Sequence, residues 1–279
     1  MHHETGTFRS PDGLELFRRR WTPDRETRAT VVLIHGVHEH SGRYAYVASA
    51  LMREGIEVEA LDLRGHGQSP GERAQVEAFT DYTRDAAAFV DAVLAEAEGR
   101  PVFLMGHSMG GLVVSGTVVD RGTRGLAGVL LSSPALQLYA PPLLERLAPV
   151  LAKWVPSMPA GKLDLSTISR DPTIVRAYRE DRLTTKKAVR AHLGYEFLKT
   201  IAHVRAHPEA FDVPLYLFHG TGDKITDPAG TRWLAEHAAS EDVTLKLYDG
   251  LYHETLNEPE RDEVIGDLAA WLVARIEAG

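Results

Sequence analysis

The stretch Pro101-Val102-Phe103-Leu104-Met105-Gly106-His107-Ser108-Met109-Gly110-Gly111 runs from an apolar, strand-like segment into a serine fenced by glycines. A second apolar segment, Leu112-Val113-Val114-Ser115-Gly116-Thr117-Val118-Val119, follows at once and reads as a helix. G-x-S-x-G between a strand and a helix is the pattern of a nucleophile elbow. The turn is so tight that side chains two residues either side of Ser108 would collide, hence Gly106 and Gly110. Ser108 is then held in a strained backbone conformation above the sheet edge, with the positive end of the new helix beneath its hydroxyl. The alternative, an incidental serine in a glycine-rich turn, does not account for the strand and helix signals on either side.

Working outward, the same rhythm recurs. Ser10-Pro11-Asp12-Gly13 is a turn signal between strand-like runs from Phe8 to Trp21, which predicts a hairpin. Ala29–Ile34 is a continuous apolar run expected of a strand buried on both faces. Ile56–Leu61, Val102–Met105, Val129–Leu131, Leu215–Phe218 and Val243–Tyr248 read as further strands. Val76–Ala97 reads as a long amphipathic helix, and a last helix runs from about Asp262 to Ile276. Strands alternating with helices predict an α/β fold: a mostly parallel central sheet flanked by helices.

From Ala135 to Arg205 the alternation stops, with no convincing strand, and prolines cluster at 134, 141, 142, 149, 156 and 159. Leu143, Leu144, Leu147, Leu151, Trp154 and Val155 recur there at helical spacing. Because the alternation resumes afterwards, residues 135–205 read as a helical cap inserted into a core made of 1–134 and 206–279.

Composition narrows the function classes. The 279 residues carry 31 Lys/Arg against 39 Asp/Glu, a net charge of −8, which argues against a nucleic-acid partner. There is no cysteine, so disulfides, thiolate chemistry and Cys-based zinc sites are excluded. The N-terminus lacks the layout of a signal peptide and no apolar run approaches membrane-spanning length, so a soluble, cytoplasmic protein is expected. Oligomeric state is not legible.

A serine hydroxyl needs a general base, and the base needs an orienting carboxylate. In this kind of fold they follow in the chain order serine, acid, histidine. Two loops beyond strand-like runs carry the right groups: Leu215 to Asp223, and Leu245 to His253. Asp227 competes with Asp223, but it precedes Pro228 at the start of a helix-like run and reads as an N-cap. His219 at a strand end and His237 within a helix read as structural. His107, next to the serine, is expected to point away from it. Ser108, Asp223 and His253 are therefore the expected triad, and the N–H groups of Val37 and Met109 the expected oxyanion donors. His35, His38, Glu39 and His40 invite a metal reading, but their spacing matches no metal-binding helix, and a polar loop beside the oxyanion site is preferred.

The motifs Gly106-His107-Ser108-Met109-Gly110-Gly111, His35-Gly36-x-x-Glu39-His40-Ser41-Gly42-Arg43-Tyr44, Asp62-Leu63-Arg64-Gly65-His66-Gly67-Gln68-Ser69 and Tyr252-His253-Glu254-Thr255-Leu256-Asn257-Glu258-Pro259-Glu260-Arg261 are all present. Together they resemble the monoacylglycerol lipase and lysophospholipase branch of the α/β-hydrolases over nearly the whole chain. The resemblance implies the same triad and oxyanion donors; hydrolysis by such a triad requires no cofactor, and no metal is expected. It further implies a small lipid ester as substrate and a cap over an acyl-chain channel. Ser169 to Tyr178 is similar to the stretch that meets glycerol in that family, which makes Tyr178 a candidate alcohol contact. Two departures fall on the same side: His38 stands where the family usually has glycine, and Asp181-Arg182-Leu183 replaces Asp-Pro-Leu. His38 and Arg182 thus join Tyr178 as candidate substrate-binding residues. The expected reaction is hydrolysis of monoacylglycerols or similar single-chain esters through an acyl-enzyme. A lysophospholipase, a general carboxylesterase and a non-catalytic receptor on the same fold are the alternatives.

Residues 135–205 hold twelve Lys/Arg and six Asp/Glu, net +6. This asymmetry leaves transient contact with an anionic membrane surface open to the cap, beside the simpler reading of a solvated helix surface.

Overall fold

Period-two alternation builds the centre of the molecule. In the strand Ala29–Ile34, Val32 and Ile34 enter one apolar cluster while Val31 and Leu33 enter another on the opposite face. A strand buried this way needs helices on both sides. The computed structural model describes residues 2–139 and 141–278; Met1, Ala140 and Gly279, which fall in the expected core and cap, lie outside the described residues.

The main sheet contains β1 (His2–Arg9), β2 (Glu15–Thr22), β3 (Ala29–Ile34), β4 (Ile56–Leu61), β5 (Val102–His107), β6 (Leu126–Ser132), β9 (Leu215–Gly220) and β10 (Val243–Tyr248). Their spatial order is β1-β2-β4-β3-β5-β6-β9-β10. β1 and β2 form the expected hairpin, and β2 pairs antiparallel with β4. Every pairing from β4 to β10 is parallel. Helices α1 (Ala45–Arg53) and α8 (Arg261–Ala278) cover one face, through Leu51, Leu268 and Trp271 among others. On the other lie α2 (Thr80–Glu96), α3 (Met109–Arg121) and α7 (Pro228–His237), represented by Phe89, Val113 and Leu234.

Between β6 and β9 come α4 (Pro142–Trp154), β7 (Pro159–Gly161), α5 (Pro172–Glu180), β8 (Val189–Arg190) and α6 (Ala191–Ala206). β7 and β8 make a small antiparallel sheet, a correction to the strand-free reading of this segment. Such short pieces carry too little alternation to be read from sequence. Leu193, Phe197, Ile201 and Val204 of α6 belong to the same apolar cluster as β3 and α3.

α2 starts at Thr80, later than its apolar periodicity suggests. The Phe79 N–H there is received by Glu196 Oε2 of α6 at 2.9 Å. That partner lies 117 residues away, and no local pattern announces it. Among the described residues, no helix is long and apolar enough to cross a membrane.

Candidate active site

The elbow is built as its glycines require. Ser108 has φ 55° and ψ −119°, a conformation rarely adopted by a residue with a side chain. A Cβ on Gly106 would lie 2.3 Å from the Gly110 carbonyl oxygen, and one on Gly110 would lie 2.1 Å from the Ile34 oxygen. β5, β3 and α3 thus meet at a point where only backbone fits.

The three loops predicted from separate parts of the chain converge here. Ser108 Oγ lies 2.8 Å from His253 Nε2, and His253 Nδ1 lies 2.7 Å from Asp223 Oδ2. All three side chains are buried. Asp223 Oδ1 accepts from the N–H groups of Ile225 and Thr226 at 2.7 and 3.1 Å, which fixes the carboxylate. Burial alone would raise the Asp223 pKa, but the His253 charge and the donors from His219 and His253 hold it far below the ordinary carboxylate range. For His253, burial opposes the charged form. Asp223 outweighs it, with Glu254 and Glu39 adding to the effect, so the imidazole pKa is raised above 6.5.

Asp227 sits where the N-cap reading puts it: its side chain accepts from Ala229 N at 2.9 Å at the start of α7. His237 is an exposed helix residue whose Nδ1 lies 2.7 Å from the Trp233 oxygen. His219 is structural in a more specific way than chain position reveals. Its Nε2 donates to Asp223 Oδ2 at 2.9 Å, while Thr231 Oγ1 lies 2.7 Å from its Nδ1. The sequence signal was the four-residue step from His219 to Asp223 across one turn. His107 packs its ring 4.9 Å from that of His253 and sits 3.1 Å from Ser132 Oγ. Burial and the His253 charge lower its pKa to about 4, so it stands beside His253 as a neutral ring.

The loop after β3 is packed onto the nucleophile: a Cβ on Gly36 would meet Ser108 Cβ at 3.2 Å. No intramolecular hydrogen bond occupies the N–H of Val37 or of Met109 among the described residues. Three polar side chains of this loop, His35, Glu39 and His40, have partners within the protein. His35 donates to the Gly36 oxygen at 2.7 Å and accepts from Leu63 N at 3.0 Å. Glu39 accepts from Gly36 N, Tyr44 Oη and Arg43 Nη1, each at 2.7 Å. His40 pairs with Asp181 at 2.9 Å.

Ser108 and Val37 open onto a cavity of about 540 Å³ whose walls include Leu138, Leu144, Leu151 and Phe197. The apolar stripe of α4 is therefore divided. Leu144, Ala148 and Leu151 face the cavity, whereas Leu143, Leu147, Val150 and Trp154 are exposed, Trp154 at 73%. The three candidate substrate-binding residues lie elsewhere. Tyr178 is buried, with its hydroxyl donating to the His38 carbonyl at 3.1 Å; His38 is buried with both ring nitrogens unpartnered; Arg182 is exposed. None of the three lines the cavity.

A mostly parallel sheet with a serine on a strand–helix elbow, and a histidine and an aspartate delivered by later strand ends, defines an α/β-hydrolase. Comparison with known proteins narrows the class. Residues 25–260 match the family described as "Serine aminopeptidase, S33". The chain is 36% identical over 275 residues to a monoacylglycerol lipase of Mycolicibacterium smegmatis, covering 97% of each chain. It is 37% identical over 270 residues to the monoglyceride lipase of Homo sapiens, covering 95% of this chain and 88% of that one. The crystal structure of the Paleococcus ferrophilus monoacylglycerol lipase superposes with a TM-score of 0.82 at 34% identity, over 94% of this chain and 99% of the other. The chain belongs to the monoacylglycerol lipase family of α/β-hydrolases, and it is a carboxylic ester hydrolase.

Proposed function

We propose that the protein hydrolyses monoacylglycerols by acyl transfer through Ser108. The observation that carries this reading is the unbroken line from Asp223 through His253 to Ser108 Oγ, with Ser108 in the wall of an apolar cavity. The acyl chain lies along Leu144, Leu151 and Phe197. His253 Nε2 takes the Ser108 proton as Oγ attacks the ester carbonyl carbon, and Asp223 stabilises the resulting imidazolium. Val37 and Met109 N–H groups receive the oxyanion. The tetrahedral intermediate collapses, the C–O bond to glycerol breaks, and His253 returns the proton to the leaving oxygen. Water then attacks the acyl-enzyme, gives a proton to His253, and releases the fatty acid as Ser108 Oγ is reprotonated.

In this reading residues 135–205 act as the cap. Its basic character and the outward residues Leu143, Leu147, Val150 and Trp154 fit transient contact with an anionic lipid surface that supplies the substrate. The test compares a monoacylglycerol with a lysophospholipid of identical acyl chain, with Ser108→Ala as the blank. A preference for the monoacylglycerol is expected; a preference for the lysophospholipid overturns the substrate assignment.

A further inference from the structure

We infer that the turn 178–186 positions the oxyanion loop, with Tyr178 and Asp181 as positioning residues that act through the backbone of residues 36–40. The inference rests on the reading of Ser108 as nucleophile and Val37 N–H as oxyanion donor. It assigns Tyr178 a role other than contact with the alcohol.

One carbonyl carries the connection. The His38 oxygen receives the Tyr178 hydroxyl at 3.1 Å and the Thr185 N–H at 2.9 Å, two donors from one turn. Two residues further on, His40 Nε2 donates to Asp181 Oδ2 at 2.9 Å. The turn is itself braced, since Thr184 Oγ1 lies 2.8 Å from the Tyr178 oxygen and the Leu183 N–H reaches Asp181 Oδ1 at 2.7 Å. The Tyr178 ring is fixed by the Arg43 guanidinium, 4.7 Å from its centre, and Arg43 is held by Glu39 and Glu254.

The loop needs this support. His38 has φ 66°, in the left-handed region that side-chain-bearing residues avoid, and such a conformation persists only where its surroundings enforce it. Its ring nitrogens have no hydrogen-bond partner among the described residues, so the main chain carries the tie. On the other side of Val37, the Gly36 N–H is held by Glu39 Oε1 at 2.7 Å. The peptide that presents Val37 N–H is thus bracketed by Glu39 on one side and by the turn on the other. Oxyanion stabilisation depends on donors fixed before the charge develops, so loosening one bracket weakens transition-state binding more than substrate binding.

The experiment uses the full chain and its Tyr178→Phe variant. It measures kcat and KM on a monoacylglycerol and on a p-nitrophenyl ester of the same acyl chain, which has no glycerol. It also measures the inhibition constant of an acyl trifluoromethyl ketone, which forms a tetrahedral oxyanion on the serine. Tyr178→Phe is expected to lower kcat on both esters by about five- to tenfold, with KM within about twofold, and to weaken the ketone by a similar factor. Asp181→Ala, which cuts the tie to His40, is expected to act in the same direction and carries the test if Tyr178→Phe does not fold. A loss confined to KM for the monoacylglycerol would make Tyr178 an alcohol contact and overturn the inference. Unchanged kcat and ketone affinity with a lower melting temperature would overturn it as well. Turnover by Ser108→Ala is the separate result that would remove the underlying reading.

Discussion

His219 Nε2 lies 2.9 Å from Asp223 Oδ2, the same oxygen that receives His253 Nδ1 at 2.7 Å. Two imidazoles thus share one carboxylate oxygen, to which Thr226 Oγ1 also donates at 2.9 Å. Replacing His219 by Ala removes one donor from this oxygen, while the Ile225 and Thr226 N–H groups still hold Oδ1. We expect kcat to fall by roughly fivefold to tenfold, the order of one charge-assisted hydrogen bond, with KM little changed. His219→Gln retains an N–H donor and should fall between Ala and the parent. Steady-state kinetics on a monoacylglycerol checks the order of the three.

The acid limb of the rate profile follows from His253. The base must be neutral to take the serine proton, and its pKa is raised above 6.5 because Asp223, with Glu254 and Glu39, outweighs burial. Activity should thus rise with pH through a midpoint above 6.5. Glu254→Gln removes a negative charge that favours the imidazolium, so the midpoint should move to lower pH by several tenths of a unit. A kcat/KM profile from about pH 5 to about pH 9 measures it, bracketing the ordinary imidazole range; an unmoved or raised midpoint would contradict the electrostatic account.

Two glycines should respond in opposite ways to alanine. At Gly110 a Cβ would lie 2.1 Å from the Ile34 oxygen and 2.4 Å from the His35 oxygen, so main chain must move. Gly110→Ala should cost about 4 kcal/mol or more and leave little soluble protein. Gly266, in α8, has open space where a methyl group would stand, with no atom within 4 Å and no positive φ. Gly266→Ala should therefore add up to about 1 kcal/mol of stability. Denaturant unfolding of Gly266→Ala and soluble yield of Gly110→Ala check the pair.

Sequence reading went furthest where the physics is local. β3, β4 and β10 have the limits their apolar runs predict, and the glycines around Ser108 announce the elbow because no other residue fits. The residues expected as a triad meet because chain order and strand ends are topological facts. What was hidden depends on partners remote in sequence. Glu196 receives the Phe79 N–H at the start of α2, His219 backs Asp223 across a turn, and Tyr178 spends its hydroxyl on a carbonyl 140 residues earlier. α4 carries apolar residues on more than one side, so periodicity could name the stripe but not divide it between the cavity and the surface.

The central claim is that Ser108 forms the acyl-enzyme. The most direct measurement is the intact mass of the protein after rapid mixing with a p-nitrophenyl acyl ester, alongside monoacylglycerol turnover, for the parent and Ser108→Ala. The account predicts one acyl adduct that maps to Ser108 in the parent, and neither adduct nor turnover in a folded Ser108→Ala protein. Turnover or a stable acyl adduct surviving in Ser108→Ala would contradict it.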